Sequence, residues 1–416
     1  MLSRRVVVTG LGAITPIGNN VPDYWNALSN GVSGAAHITQ FDASKFKTHF
    51  ACEVKNFDVT QFIDRKEARR MDRYAQLAMV ACDEAVKHSG IDLEKINKDR
   101  VGVIWGSGIG GLKTFLDEVT AFSKGDGTPR FSPFFIPMMI ADIAAGLISI
   151  RFGFRGPNFT TVSACASSTN AISDAFYYIK MGKSDMIVTG GSEACVNEAA
   201  VGGFNAMKAL SERNDDPSTA SRPFDLDRNG FVLGEGAGAV ILEELEHAIA
   251  RGAKIYGEIV GCGASADAYH LTAPHPEGLG ATKVMQYALD EAGLKPEDID
   301  YINVHGTSTP LGDPQEIKAI QNIFGDHAYK LNISSSKSMT GHLLGGAGAV
   351  EVLACLMAIN TGVIPPTINH FTDDPAFDSR LNLTFNKAQK REVKAALSNT
   401  FGFGGHNASI IIKKFE

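Results

Sequence analysis

Short apolar runs and stretches with helical spacing alternate along the whole chain. The short runs are rich in β-branched residues and are typical of buried strands, at residues 5–9, 101–105, 186–191, 240–245, 255–260 and 299–304. Apolar residues at helical spacing predict helices at residues 22–29, 63–88, 171–179, 281–292, 313–324 and 346–359. This alternation predicts an α/β protein in which two halves pack as layers.

Glycine clusters follow several of the predicted strands. Gly10 and Gly12 are expected to end the first strand, and a cluster at residues 106–111 follows the strand at 101–105. The second cluster is not spaced as GxGxxG, and no acidic residue at the end of a following strand matches the dinucleotide-binding pattern, so a dinucleotide site is disfavoured.

Cys165 begins one of the predicted helices. It lies within Thr161-Val-Ser-Ala-Cys-Ala-Ser-Ser-Thr-Asn170, just before the helical pattern. The free N–H groups and the dipole at a helix N-terminus lower the pKa of a thiol, and the same N–H groups bind an oxyanion. The pattern therefore favours a nucleophile. A small buried residue at a helix start is the alternative.

Two histidines in the second half change the balance between these interpretations. His305 lies in residues 303–309 and His342 ends residues 337–342, each in a Gly/Ser/Thr-rich turn after an apolar run. The chain ends with another glycine-rich turn at residues 399–407. One cysteine with two distant histidines indicates thioester chemistry.

With the opening motif at residues 6–12, these motifs make the chain resemble the elongating β-ketoacyl-acyl-carrier-protein synthases. These condensing enzymes have a thiolase-like fold and a Cys-His-His triad. The resemblance implies an α/β, layered αβαβα architecture from two related halves. Residues 1–253 would carry the nucleophile, and residues 254–416 would carry the two histidines.

The implied reaction is a decarboxylating Claisen condensation in fatty-acid elongation. Cys165 would take an acyl group, and malonyl-acyl-carrier protein would supply the enolate, giving a 3-oxoacyl-acyl-carrier protein and CO2. His305 and His342 would donate hydrogen bonds to the enolate oxygen. The N–H groups of Cys165 and Phe403 would form the oxyanion hole, and Phe403 would also gate malonyl entry.

Further roles follow from the same resemblance. Lys337 would tune the site, paired with Glu316. The substrate-binding set would hold the phosphopantetheine arm and line the acyl tunnel, and it comprises Thr307, Thr309, Ile109, Phe204 and Phe401. No organic cofactor is implied, although some relatives hold a monovalent cation at positions that match Asn303, Glu351, Ser398 and Asn399.

The implied partner is an acidic acyl carrier protein. Its docking patch would comprise Lys66, Arg69, Arg70, Arg130 and Lys208. The alternative for the basic run at residues 65–73 is a solvated helix face with pairs to nearby acidic residues. Phe131 stands where relatives often carry another basic residue. The apolar segment at 131–140 is either ordinary core or the interface of a homodimer.

Composition narrows the remaining classes. The net charge of −7 argues against a general nucleic-acid binder. The six cysteines form no CxxC pair, so neither a disulfide framework nor a zinc site is expected, and a reducing compartment fits. The N-terminus does not resemble a signal peptide, and the apolar stretch at 137–150 is interrupted by Asp142. We therefore expect a cytoplasmic protein that does not span a membrane.

Four other kinds of protein with the same fold are considered as alternatives, and the residues argue against two of them. A degradative thiolase would need a second cysteine near the C-terminus, but no cysteine follows Cys355. An initiating synthase would have an asparagine where His342 stands. A polyketide-type ketosynthase and a catalytically inert scaffold that binds the carrier protein are the alternatives that stay open.

Overall fold

A mixed sheet of ten strands forms the centre of the molecule, in a computed structural model that describes residues 4–416. The sheet order is β10-β9-β13-β14-β8-β1-β7-β6-β4-β5. These strands are β1 Val6–Ile14, β4 Val101–Gly106, β5 Asn158–Thr161, β6 Met186–Glu193, β7 Gly236–Glu244, β8 Gly257–Ala266, β9 Tyr301–Asn303, β10 Asn332–Ser334, β13 Ala395–Gly402 and β14 His406–Lys413. Two small ladders pair β2 Ala36–His37 with β3 Phe50–Ala51, and β11 Val363–Ile364 with β12 Gln389–Lys390.

Helices cover the outer faces of the sheet and also lie between its two sides. They are α1 Val21–Ser29, α2 Arg65–Ala68, α3 Arg73–His88, α4 Leu112–Lys124, α5 Phe135–Met139, α6 Ile143–Phe152, α7 Ser167–Lys180, α8 Glu198–Ala206, α9 Leu245–Ala250, α10 Leu279–Ala292, α11 Gly312–Phe324, α12 Lys337–Thr340 and α13 Ala347–Thr361.

The sheet repeats one topology twice. From its centre outwards, one side runs β1-β7-β6-β4-β5 and the other runs β8-β14-β13-β9-β10. The first two steps are antiparallel and the last two parallel on both sides. The predicted boundary between residues 253 and 254 falls between α9 and β8. The division there into two units stays a prediction.

Five layers result from the way in which the helices pack on these strands. α3 lies on the outer face of β1, β7 and β6, and α10 lies on β8 and β14. α7 and α13 lie between the two sides of the sheet, where their residues share one apolar core with β1, β7 and β8.

One helical segment among the described residues 4–416, Leu344–Thr361, is long and apolar enough to cross a membrane. It is 83% buried. This segment contains helix α13, which lies in the middle layer. A helix there must be apolar on all sides because the two sides of the sheet enclose it.

The first strand is longer than predicted. β1 continues through Gly10 and Gly12 to Ile14, because these glycines allow a close approach of α3 and do not form a turn. A Cβ atom on Gly12 would lie 1.9 Å from the carbonyl oxygen of Ala81.

The single helix predicted at residues 63–88 is wrong. The structure has a short α2, a break at residues 69–72, and then α3. Asp72 causes the break, because its carboxylate accepts hydrogen bonds from the N–H of Tyr74 and from both the N–H and hydroxyl of Thr114.

The contact between β1 and α3 predicts the effect of a methyl group at Gly12. Gly12→Ala forces the helix away from the strand, so we expect a loss of about 1–3 kcal/mol in the free energy of unfolding. Chemical denaturation would measure it. Gly203→Ala, on α8 with no atom within 4 Å of the added Cβ, is the control and is expected to be neutral or stabilising. Equal stability of the two variants would contradict the packing argument.

Candidate active site

Cys165 occupies a strained turn at the start of α7. Residues Ala164–Ala166 form a single 3-10 turn before the helix, and Ala164 has a left-handed φ of 51°. Such turns present a nucleophile to a cavity at a cost in backbone strain. Gly402 of β13 packs against the turn, since a Cβ there would lie 3.2 Å from the Cys165 nitrogen. The helix start predicted from the sequence is therefore where the structure has it.

The two predicted histidines lie beside the thiol. Nε2 of His342 is 3.1 Å from Sγ of Cys165, and the ring centroids of His305 and His342 are 5.3 Å apart. The carboxylate of Glu316 fixes the His305 turn by accepting hydrogen bonds from the N–H groups of His305, at 2.9 Å, and Gly306, at 2.8 Å. Residues more than a hundred positions apart thus form one cluster.

Both imidazoles are neutral hydrogen-bond donors. Burial lowers the pKa of His305 and of His342 well below the usual value, and the charge of Lys337 lowers both further. Nδ1 of each ring is buried without a hydrogen-bond partner among the described residues. The proton is therefore favoured on Nε2, which for His342 faces the thiol.

The thiol is also neutral at rest, contrary to the sequence-based expectation of a lowered pKa. Burial raises the pKa of Cys165 to about 12. The charge of Lys337 and the N–H groups of Phe403 and Cys165 act against this rise. Loss of hydration outweighs the helix terminus because the whole turn is enclosed. Both predicted oxyanion donors nevertheless face the sulfur.

Lys337 is buried behind the histidines and pairs with Glu351, so the predicted pairing with Glu316 is wrong. Glu316 is occupied by backbone donors and by the side-chain amide of Asn399 at 3.2 Å. Burial raises the pKa of Glu316 to about 7. Among residues 4–416 Lys337 makes no hydrogen bond to Cys165, His305 or His342, but its charge lowers the pKa of all three groups.

A cavity of about 550 Å3 opens onto the thiol. It is of the size typical of small-molecule sites. The predicted catalytic and substrate residues that line it are Cys165, His305, His342, Phe403, Thr307, Thr309, Ile109, Phe204 and Phe401. The hydroxyl oxygens of Thr307 and Thr309 are 3.2 Å apart, and the rings of His305 and Phe401 are 5.6 Å apart.

The predicted docking residues are all exposed, but only one reaches this cavity. Lys208 lines it, whereas Lys66, Arg69, Arg70 and Arg130 lie elsewhere on the surface. Arg70 stacks over the ring of Phe134 at 4.7 Å, and Arg130 pairs with Asp126 at 3.1 Å. Of these five residues only Arg130 makes an ion pair within residues 4–416; Lys66, Arg69, Arg70 and Lys208 make none.

Arg73, from the same basic run, does not share this exposure. It turns inward and makes a two-pronged ion pair with Glu235, at 2.7 and 2.8 Å. The alternative of a wholly solvated helix face is therefore wrong for this residue.

Sequence reasoning missed two residues of the site. The ring of Phe231 packs edge-on against His342, with centroids 5.3 Å apart. The carboxylate of Glu193 accepts hydrogen bonds from the N–H groups of Gly108, Ile109 and Gly110. Because these three N–H groups already donate to Glu193, they are not available to bind a pyrophosphate at this glycine turn. A carboxylate at the end of a buried strand was the available signal for Glu193.

Comparisons with known proteins agree with this geometry. Residues 3–248 match the family model of the β-ketoacyl synthase N-terminal domain, and residues 256–371 match that of the C-terminal domain. The 3-oxoacyl-[acyl-carrier-protein] synthase 2 of Synechocystis is 52% identical over 413 residues, covering 99% of both chains. The synthase of that name from Staphylococcus aureus strain COL is 50% identical over 415 residues, covering 100% of this chain and 99% of the relative.

Solved structures give the same result. A β-ketoacyl synthase from Burkholderia phymatum superposes with a TM-score of 0.92 at 35% identity, covering 99% of this chain and all of that one. A type II polyketide ketosynthase, solved with its acyl-carrier protein and bound to the hexaketide, has a TM-score of 0.90 at 31% identity, with 99% and 100% coverage.

The layered fold, with its buried cluster of Cys165, His305 and His342, is that of a condensing enzyme of the acyltransferase class. The chain belongs to the β-ketoacyl synthase family. The thiolase-like fold, the family and the enzyme class predicted from the sequence are confirmed.

The buried thiol predicts an unusual pH profile for its alkylation. Because the pKa of Cys165 is about 12 and only the thiolate reacts, the alkylation rate should rise about tenfold per pH unit from about pH 6 to 9. Mass spectrometry after iodoacetamide treatment measures it at this residue. Cys165→Ser controls for the other five cysteines, which are all buried. A rate that levels off near pH 8.5–9 would show a thiol with an ordinary pKa of about 8.5, and a plateau below about pH 8 would show a lowered pKa.

Proposed function

We propose that this enzyme elongates fatty acyl chains by condensing malonyl-acyl-carrier protein with an acyl group held on Cys165, giving 3-oxoacyl-acyl-carrier protein and CO2. The contact of 3.1 Å between Cys165 and His342 inside an apolar cavity supports this most directly. Full-length identity of 50–52% to synthases of this name supports the fatty-acid reaction.

The first step is acyl transfer. Sγ of Cys165 attacks the thioester carbonyl of the acyl-carrier protein, and the phosphopantetheine sulfur leaves with the thiol proton. The carbonyl oxygen, negative in the tetrahedral intermediate, accepts hydrogen bonds from the N–H groups of Cys165 and Phe403, which face the sulfur.

The second step is condensation. Malonyl-acyl-carrier protein loses CO2, and its thioester oxygen carries the enolate charge while Nε2–H groups of His305 and His342 donate to it. The enolate carbon attacks the acyl carbonyl, and the Cys165 sulfur is expelled as a thiolate that takes up one proton from solvent. Neutral imidazoles suit this role because they donate a proton in a hydrogen bond without transferring it. Thr307 and Thr309 hold the pantetheine arm.

A small monovalent cation fits part of the predicted donor set. Asn303 Oδ1, Glu351 Oε2 and Ser398 Oγ are buried without hydrogen-bond partners among residues 4–416. Asn303 and Ser398 are also paired in the parallel register of β9 and β13. The side chain of Asn399 is otherwise engaged, with Glu316 and Ser409. We propose that the three free oxygens hold the ion, which stabilises the structure and takes no part in the reaction.

The partner is proposed to be an acidic acyl carrier protein that docks on Lys66, Arg69, Arg70, Arg130 and Lys208. Their exposure and positive charge support docking, and Lys208 connects the patch to the cavity. One similar ketosynthase structure contains an acyl-carrier protein. The cytoplasmic location predicted from the sequence is retained in this proposal.

A homodimer is the proposed assembly. β5 lies at the end of the sheet order and leaves one strand edge unpaired within the described chain. Nearby helices expose large apolar side chains, including Phe122, Ile136 and Ile150. A second copy would cover both features, as a closed two-fold interface requires. The segment at residues 131–140 would lie in this interface, since Phe131 and Ile136 are exposed and do not belong to the core.

The two open alternatives are less well supported. The type II polyketide ketosynthase shares the fold at a lower identity of 31%. An inert scaffold would not need the complete cluster of Cys165, His305 and His342.

Single substitutions test the proposed roles. With medium-chain acyl- and malonyl-carrier proteins, Cys165→Ala should give no elongated product. His305→Ala and His342→Ala should each lower the rate by about 10²–10³-fold, the effect of losing one enolate donor. Mass spectrometry of products and of acylated enzyme measures both steps. Cys262→Ala, at another buried cysteine, should keep full activity. An elongated product from Cys165→Ala would refute the assignment of Cys165 as the nucleophile.

Charge reversal tests the docking patch. Arg69→Glu should raise KM for acyl-carrier protein about three- to tenfold, since an exposed charge contributes modestly to association. The rate with an acyl-pantetheine thioester, which has no carrier protein, should not change. Lys387→Glu makes the same charge change at an exposed site that does not line the cavity and should leave both values unchanged. An unchanged KM in Arg69→Glu would remove this residue from the patch.

A further inference from the structure

Glu193 is a buried carboxylate beside the active site to which the proposed reaction gives no role. It ends β6 and is fully buried. Its hydrogen-bond partners are N–H and O–H groups and not cations. Burying a carboxylate without a neighbouring cation costs free energy, and the hydrogen bonds that Glu193 accepts offset this cost.

Five donors converge on this one side chain. Oε1 accepts from the hydroxyl of Ser107 and from the N–H groups of Ile109 and Gly110, each at 3.2 Å. Oε2 accepts from the N–H groups of Gly108, at 2.8 Å, and Gly345, at 3.1 Å. The carboxylate therefore ties the turn at residues 107–110 to the turn Leu344–Gly346.

Both turns reach the cavity. Ile109 and Leu344 line it, and His342 precedes Leu344 by two residues. The turns also touch each other, because a Cβ on Gly345 would lie 2.2 Å from the nitrogen of Gly108. The position of the Ile109 side chain therefore depends on the hydrogen bonds that Glu193 makes.

We infer that Glu193 is a positioning residue that holds Ile109 in the wall of the acyl cavity and thereby limits the length of the chain that Cys165 accepts. A turn with glycines at positions 108 and 110 has little rigidity of its own. Charged hydrogen bonds are the strong ones, and they keep this turn closed. The inference rests on the proposed function, since it concerns the acyl group loaded in the first step.

Glu193→Gln tests the inference. The amide keeps the size of the side chain but replaces one acceptor oxygen by an NH2 donor, so at least one backbone N–H loses its acceptor. The ratio of long-chain to short-chain acylation rates of Cys165 should rise at least about tenfold, the factor that one lost hydrogen bond to a charged group can produce. Mass spectrometry of the acyl-enzyme, with acyl-carrier proteins of two chain lengths, gives this ratio.

Glu84→Gln is the matched control. This carboxylate on α3 also accepts two backbone N–H groups, from Ala13 at 2.8 Å and Val21 at 2.9 Å, but it does not line the cavity. Its substitution should leave the ratio unchanged. Ser107→Ala removes one donor and keeps the carboxylate, so it should shift the ratio in the same direction by a smaller factor. This variant tests the inference if Glu193→Gln does not fold.

The Ile109→Ala background separates positioning from a general loss of structure. Without the Ile109 side chain, Glu193→Gln should no longer change the ratio. An unchanged ratio in the single variant, or an equal change in the Ile109→Ala background, would overturn the inference alone. Failure of the unmodified enzyme to acylate Cys165 with either chain would overturn the proposed function, and the inference with it.

Discussion

The contact between the N-terminal turns of α7 and α13, enclosed between the two sides of the sheet, is the constraint on which the active site depends. Each helix begins with a 3-10 turn whose first residue is left-handed, Ala164 at φ 51° and Leu344 at 46°. One turn carries Cys165, and the other follows His342. Because α13 is almost wholly buried and α7 packs its apolar face into the same core, the thiol and the imidazole cannot separate without opening the core.

The same enclosure sets the charges of the site. Burial raises the pKa of Cys165 and lowers that of His342, so neither is charged at rest. Lys337 favours the thiolate, whereas the carboxylate of Glu193 opposes it. The site therefore forms charge only when a thioester or an enolate is present, which suits the proposed reaction, since both of its steps generate an oxyanion.

Much of the fold could be read from local patterns, and the failures have physical causes. The strand-helix alternation and the helix start after Cys165 depend on neighbouring residues. The predicted end of β1 was too early because Gly10 and Gly12 do not form a turn. They allow the strand to approach α3, which is distant in sequence. The break before α3 was missed because Asp72 is held by Thr114. The pairing of Lys337 was wrong because two buried carboxylates, Glu316 and Glu351, compete for it.

The sequence by itself determined the kind of chemistry and the family, because the triad residues stand in motifs that can be recognised one by one. Only the tertiary structure decided the ionisation of these residues, the partner of Lys337 and the place of Glu193. Hydration and hydrogen bonding depend on every atom that surrounds a group, and in this fold those atoms come from both halves of the chain.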